Sequence, residues 1–117
     1  MTLGRESGSG LVIMPDIFTN YHRVSIILTA ARARVPAISW QSDFARDGGL
    51  LSYGADIGEP LRRAASYVDR ILRGEKPGDL PVQFPVKYEM VVNLKTAKAL
   101  GLTVPQSILL RADEVLE

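Results

Sequence analysis

Three short stretches of this sequence carry the side chains best suited to holding a small molecule: Pro15-Asp16-Ile17-Phe18, Trp40-Gln41-Ser42-Asp43 and Tyr53-Gly54-Ala55-Asp56. Each brings an aromatic ring close to a carboxylate. A rigid ring offers stacking area, and a carboxylate can hold an ammonium group. The combination suits an amino-acid-like or other small polar ligand, with Asp16, Phe18, Trp40, Gln41, Tyr53 and Asp56 as the candidate contacts. Other readings stay open at several of these positions. Ser42, Asp43 and Asp56 stand where helix caps belong, Phe18, Trp40 and Tyr53 could serve packing, and Gly54 supplies freedom for a turn.

Catalytic arrangements are not visible. His22 is the only histidine and falls in the first turn of a helix, a place for a solvated or capping side chain. The sequence has no Gly-x-Ser-x-Gly elbow and no Gly-Lys-Ser/Thr phosphate loop. Gly8-Ser9-Gly10 precedes its strand, whereas a dinucleotide fingerprint follows one. A Mg²⁺ site on Asp16, Asp43 and Asp56 lacks a diagnostic spacing. Cysteine is absent, which excludes disulfide and thiol chemistry. The expectation is therefore binding without chemistry, with no cofactor and no metal.

The elements that must position these residues follow from period and punctuation. Leu11-Val12-Ile13-Met14, closed by Pro15, is a continuous apolar run of the kind found in strands covered on both faces. Tyr21, Val24, Leu28, Ala31 and Val35 recur at helical spacing, with Thr19 or Asn20 as cap and Pro36 as stop. Ala37 to Trp40 reads as a second strand, Ser42 caps a short helix ended by Gly48 and Gly49, and Leu50 to Tyr53 reads as a third strand. The strongest helix runs from Ile57 to Arg73 with Ile57, Leu61, Ala64, Ala65, Val68, Ile71 and Leu72 on one face. Lys76 to Pro85 holds three prolines and reads as an extended connector. Tyr88 to Val92 is a strand, Asn93 caps a short helix ending at Gly101, and Ser107 caps a last helix carrying Ile108, Leu109, Ala112 and Val115. This order predicts an α/β protein with a parallel sheet of doubly wound type. Ligands of such sheets bind beyond the carboxyl ends of the strands, where all three stretches fall.

Residues 1–10 read as a flexible lead-in and residues 11–117 as a single α/β unit. Fourteen basic and 13 acidic residues leave a net charge of +1, so no electrostatic footprint for nucleic acid or anionic lipid is present. The apolar runs are too short to cross a bilayer. The first ten residues lack a secretory signal, so the chain as written is expected in the cytoplasm.

The chain resembles the C-terminal portion of ABC transporter substrate-binding proteins, periplasmic-binding-protein-like members related to tryptophan- and tyrosine-binding components. The resemblance lies in Leu11 to Asp16 (LVIMPD), Gly48 to Asp56 (GGLLSYGAD), Arg63 to Gly74 (RAASYVDRILRG), Lys76 to Pro85 (KPGDLPVQFP), Asn93 to Leu102 (NLKTAKALGL) and Arg111 to Val115 (RADEV). It implies two α/β lobes with a small-molecule solute held between them, a periplasmic location for the full-length family, and an ABC permease as partner. Family members are more than twice as long. On that pattern residues 11–56 are a partial second lobe, and residues 57–117 carry the long helix, the connector and segments returning toward the hinge. Surfaces bared by a missing lobe would favour a homodimer of the short chain, and a self-associating interaction or regulatory protein is the alternative function.

Overall fold

The computed structural model describes residues 8–117. Most of the predicted lead-in, residues 1–7, lies outside the described residues. The contacts fall into two compact units: one comprises the chain up to Gly54 together with Glu89–Glu117, the other Ala55–Tyr88.

In the first unit, strand β1 (Leu11–Ile13) leads to helices α1 (Ile17–Tyr21) and α2 (Arg23–Ala33), then β2 (Ala37–Ser39), α3 (Ser42–Arg46) and β3 (Leu51–Ala55). The chain returns through β4 (Tyr88–Asn93), α5 (Leu94–Leu100), α6 (Gln106–Leu109) and β5 (Glu114–Leu116). The sheet is five-stranded in the order β1-β2-β3-β4-β5. β1 pairs with β2, β2 with β3 and β4 with β5 in parallel, with Ile13 opposite Ser39 and Ser39 opposite Ser52. Asn93 N–H donates to Leu50 O, and Asp56 N–H to Lys87 O. Numbers fall along β4 as they rise along β3, so that pair is antiparallel. The expected α/β class forms, and the sheet is mostly parallel, with β3–β4 as the antiparallel exception.

Apolar alternation on β1 and β2 builds the core. Ile13, Ile27, Ala30, Ala37 and Phe44 form one cluster, with Leu11 and Ile26 packed against it. Val91 and Val92 of β4 are fully buried. Asn93 caps α5 as predicted, accepting from Thr96 N–H, while its Nδ2 donates to Ala45 O at 3.0 Å. One buried amide thus ties β4 to α3 with both ends satisfied. On the surface, Arg46 of α3 reaches Glu89 at 3.1 Å and Glu114 at 2.7 Å, joining α3 to β4 and β5.

Several local expectations are corrected. The helix predicted from Thr19 to Val35 is two helices broken at His22. Asp16, not Thr19 or Asn20, caps the first, because its Oδ1 accepts from Phe18 N–H at 2.7 Å. Thr19 Oγ instead donates to Asp16 O and Met14 O. The second helix ends at Arg34 in left-handed geometry. Ser42 is not the cap of α3. Gln41 occupies that place, and Ser42 Oγ accepts from Arg46. The last helix is capped at Pro105 rather than Ser107 and stops at Leu109, and Val115 lies on β5. Ala112 is in the turn between them, where Asp113 N–H donates to Met90 O and pulls the chain onto β4.

The second unit holds helix α4 (Gly58–Leu72), a 3₁₀ turn at Pro77–Asp79 and the extended connector. Gly74 at φ 104 ends the helix, with Glu75 N–H bonded to Arg70 O. Tyr67 OH donates to Pro81 O at 2.6 Å and Arg63 to Gln83 Oε1 at 3.0 Å, so the connector is clipped along the helix. The apolar face predicted for α4 exists by spacing, yet no residue of the helix is buried.

Candidate functional site

The parallel strands β1, β2 and β3 place their carboxyl ends on one side of the sheet, where Asp16 comes after β1, Trp40 and Gln41 come after β2, and Tyr53 lies on β3. Asp16 follows β1 directly. Its carboxylate is engaged by Phe18 N–H, which fixes the α1 turn and leaves Phe18 67% exposed. The Phe18 ring lies 4.4 Å from that of His22, and the Tyr21 ring lies 5.1 Å from it, edge-on. Among the described residues His22 has no hydrogen-bonded serine or threonine hydroxyl, so no nucleophile and base are paired.

Trp40 and Gln41 follow β2 and share a small cavity with Ser39, Thr19, Asn20 and Arg23. Its volume of about 10 Å³ gives room for a single water molecule. Arg23 bonds Asp47 at 2.6 Å and Asn20 at 3.0 Å, so its charge is already met. Arg23, Asn20 and Ser39 were not among the predicted contacts. The three-residue spacing of Asn20 and Arg23 is the sequence signal that could have found that pair.

Tyr53 follows on β3, half exposed. Gly54 next to it makes the tightest approach in the first unit, because a Cβ there would lie 1.9 Å from Trp40 O. The glycine predicted for turn freedom is thus required by the closeness of β3 to the end of β2. Its φ is outside the left-handed region, and the need is steric.

Asp56 belongs to the second unit. Its Oδ1 accepts from Gly58 N–H at 2.8 Å and Oδ2 is 3.4 Å from Lys87 Nζ. The Gly58 bond above all holds its carboxyl below the usual carboxylate range; burial opposes it less strongly, and Lys87 and Arg62 add to the lowering. A depressed folded pKa means that the contribution of this turn is complete above the unfolded value of about 4 and is lost as pH falls through the folded value. Carbon-detected NMR titration should find Asp56 titrating below a peptide reference, with Gly58 amide protection lost in parallel and absent in Asp56→Ala. Titration at or above the peptide value would contradict this assignment.

Asp43, the remaining acidic candidate, pairs with Arg46 at 3.6 Å. Among the described residues no group of three acidic or histidine side chains is close enough to hold a metal. No helix of the described residues is long and apolar enough to cross a membrane. The second unit has a groove of about 480 Å³ between α4 and the connector, lined by Ala64, Tyr67, Ile71, Leu80 and Phe84 with none of the six predicted contacts. What the strand-end edge offers is stacking surface and hydrogen-bonding groups, the equipment of a binding site.

Comparison with known proteins bears on the fold and the family of the chain. A conserved domain protein from Vibrio cholerae O1 biovar El Tor superposes with TM-score 0.86 at 29% identity, over 92% of this chain and 36% of that one. An ABC domain from Streptococcus pneumoniae in complex with L-Trp superposes with TM-score 0.80 at 26% identity, over 90% of this chain and 36% of its own. A ligand-free, open substrate-binding protein with adhesive properties from Clostridium difficile shares the fold at TM-score 0.59 and 21% identity, over 91% of this chain and 36% of that one. The chain therefore spans about 36% of the length of these solved structures. No curated protein sequence matches it. The match to the family described as ABC transporter substrate binding protein runs over residues 1–116, and to that family this chain belongs.

Proposed function

We propose that the chain contributes one wall of a solute site in an ABC import system, capturing a small polar, amino-acid-like molecule without chemistry. The observation that carries this reading is the strand-end edge, where Phe18, Trp40 and Gln41 come after β1 and β2 and Tyr53 lies on β3, in a chain of substrate-binding family. Asp16 is the carboxylate of the proposal. It already accepts one backbone N–H and keeps further lone pairs for an ammonium group. In a two-lobed protein the opposite wall closes over the solute, and the loaded protein docks on a permease. The Streptococcus pneumoniae relative with L-Trp supports an amino-acid ligand class.

Trp40 is the only tryptophan, so its emission reports this edge directly. Titration with amino acids, small peptides and nucleosides should give a saturable change for one class, with a Kd of about 1 mM for a single wall. Phe18→Ala and Tyr53→Ala should weaken it several-fold. If Trp40 emission and melting temperature ignore every solute, the reading fails.

A second reading has its own support. Ile17, Tyr21, Val24 and Leu28 recur at spacings of four, three and four along α1 and α2, and all are exposed. Such a stripe suits helix pairing between two copies. Light scattering of the same samples distinguishes the two, since a monomer at every concentration removes the homodimer.

A further inference from the structure

A separate cavity of about 270 Å³ lies at the opposite end of the sheet, between α2 and α5. Val35, Ala37 and Leu50, at the starts of β2 and β3, line it together with Ile27, Phe44 and Leu100. Its walls are fixed from two sides. Gly49 allows the Phe44 ring to close in, since a Cβ there would stand 2.1 Å from the ring, and Thr96 Oγ donates to Gly48 O at 2.9 Å. The volume is just under the range of about 300 to 1,000 Å³ that holds drug-sized ligands, which suits a smaller, compact molecule.

The charges at this cavity are of one sign. Arg34 and Lys95 line it, and no aspartate or glutamate does. Among the described residues neither has an ion pair or a side-chain hydrogen bond. Arg34 has a further peculiarity. It ends α2 at φ 53 and ψ 37, and among the described residues it is the only one other than glycine with positive φ. Glycine fills such helix ends without steric cost, whereas a residue with a Cβ is strained there. An arginine in that geometry, lining an apolar cavity together with Lys95, is arranged for a negative charge that the described residues do not supply.

We propose that this cavity binds a compact apolar monocarboxylate, its hydrocarbon body against Ile27, Phe44 and Leu100 and its carboxylate met by Arg34 and Lys95. Guanidinium takes a carboxylate through paired N–H donors, and Thr96 Oγ, already a donor to Gly48 O, has no second proton to offer the anion. The site is independent of the strand-end reading, and either can fail without the other.

Benzoate and its neutral counterpart benzyl alcohol test the proposal on the 117-residue chain by ligand-observed NMR and calorimetry. Benzoate should bind about tenfold more tightly than the alcohol, with affinity falling as salt rises. Arg34→Gly should lower benzoate affinity about tenfold while leaving the melting temperature unchanged or higher, because glycine relieves the left-handed strain. Lys95→Gln, at an exposed position of α5, should weaken binding without any change in backbone geometry. Equal binding of the two probes, no binding of benzoate at about 10 mM, or undiminished binding by a folded Arg34→Gly would each overturn it.

Discussion

Gly54→Ala should destabilise the first unit by about 3 kcal/mol, toward the upper end of the cost of forcing extra atoms into a packed site. The new methyl would sit 1.9 Å from Trp40 O and 2.8 Å from Trp40 C. Both are backbone atoms and cannot rotate aside, so β3 must move away from the end of β2. Such movement would also displace Trp40 and Tyr53, the two aromatic candidates that flank the contact. Gly78→Ala is the matched control, because a Cβ at Gly78 meets nothing within 4 Å and its φ is not positive. Urea unfolding of the two variants decides the matter. Equal midpoints would show that the strands can part freely, and the close approach would then have no energetic meaning.

Phe44→Ala should cost about 4 kcal/mol, the usual range for deleting a fully buried aromatic ring. Phe44 is 1% exposed and touches both layers of the first unit, packed with Ile13, Ile27, Ala30 and Ala37. The cavity left behind cannot collapse readily. Gly49 already lies against the ring and has no side chain to fill the space. For a chain whose whole stability is about 10 kcal/mol, this is a large share, and it corresponds to a fall in melting temperature of about 15 °C. Leu72→Ala, at an 81% exposed position of α4, should change the midpoint by less than about 0.5 kcal/mol. A Phe44→Ala loss under about 1 kcal/mol would mean that the core repacks around the gap.

Much of the local structure was legible because it depends on near neighbours. The apolar run before Pro15, the long helix ended by Gly74 and the Asn93 cap are short-range patterns and form close to where their residues predict, although the strand expected to be covered on both faces leaves Val12 68% exposed. The break at His22 was not legible. Tyr21, Val24 and Leu28 keep helical spacing across it, so the apolar period gives no sign of an interruption. What sets the break is Asp16, whose carboxylate starts a one-turn helix early, and the His22 backbone, whose φ of −93 and ψ of 14 leave helical geometry. Val115 was assigned to a helix for a similar reason. Its spacing from Ile108 and Ala112 fits a helix, but pairing of Val92 with Val115 across β4 and β5 draws it into the sheet. Long-range ladders of this kind cannot be read from local period.

The candidate site divides along the same line. Residue types alone were enough to single out Asp16, Phe18, Trp40, Gln41, Tyr53 and Asp56, because aromatic and acidic side chains after apolar strands are a local feature. Only the fold decided that Asp16 and Asp56 each hold a backbone N–H, that Gly54 presses on Trp40 O, and that Asp56 falls in a different unit from the others. The sequence by itself determined the class of elements and the chemistry they carry, since both follow from side-chain type and neighbours within a turn. Tertiary structure decided which of those groups face a cavity, which are already satisfied, and that Arg34 and Lys95, without an ion pair among the described residues, line an apolar pocket at the other end of the sheet. Those outcomes depend on contacts between residues far apart in the chain, whose distances no local pattern encodes.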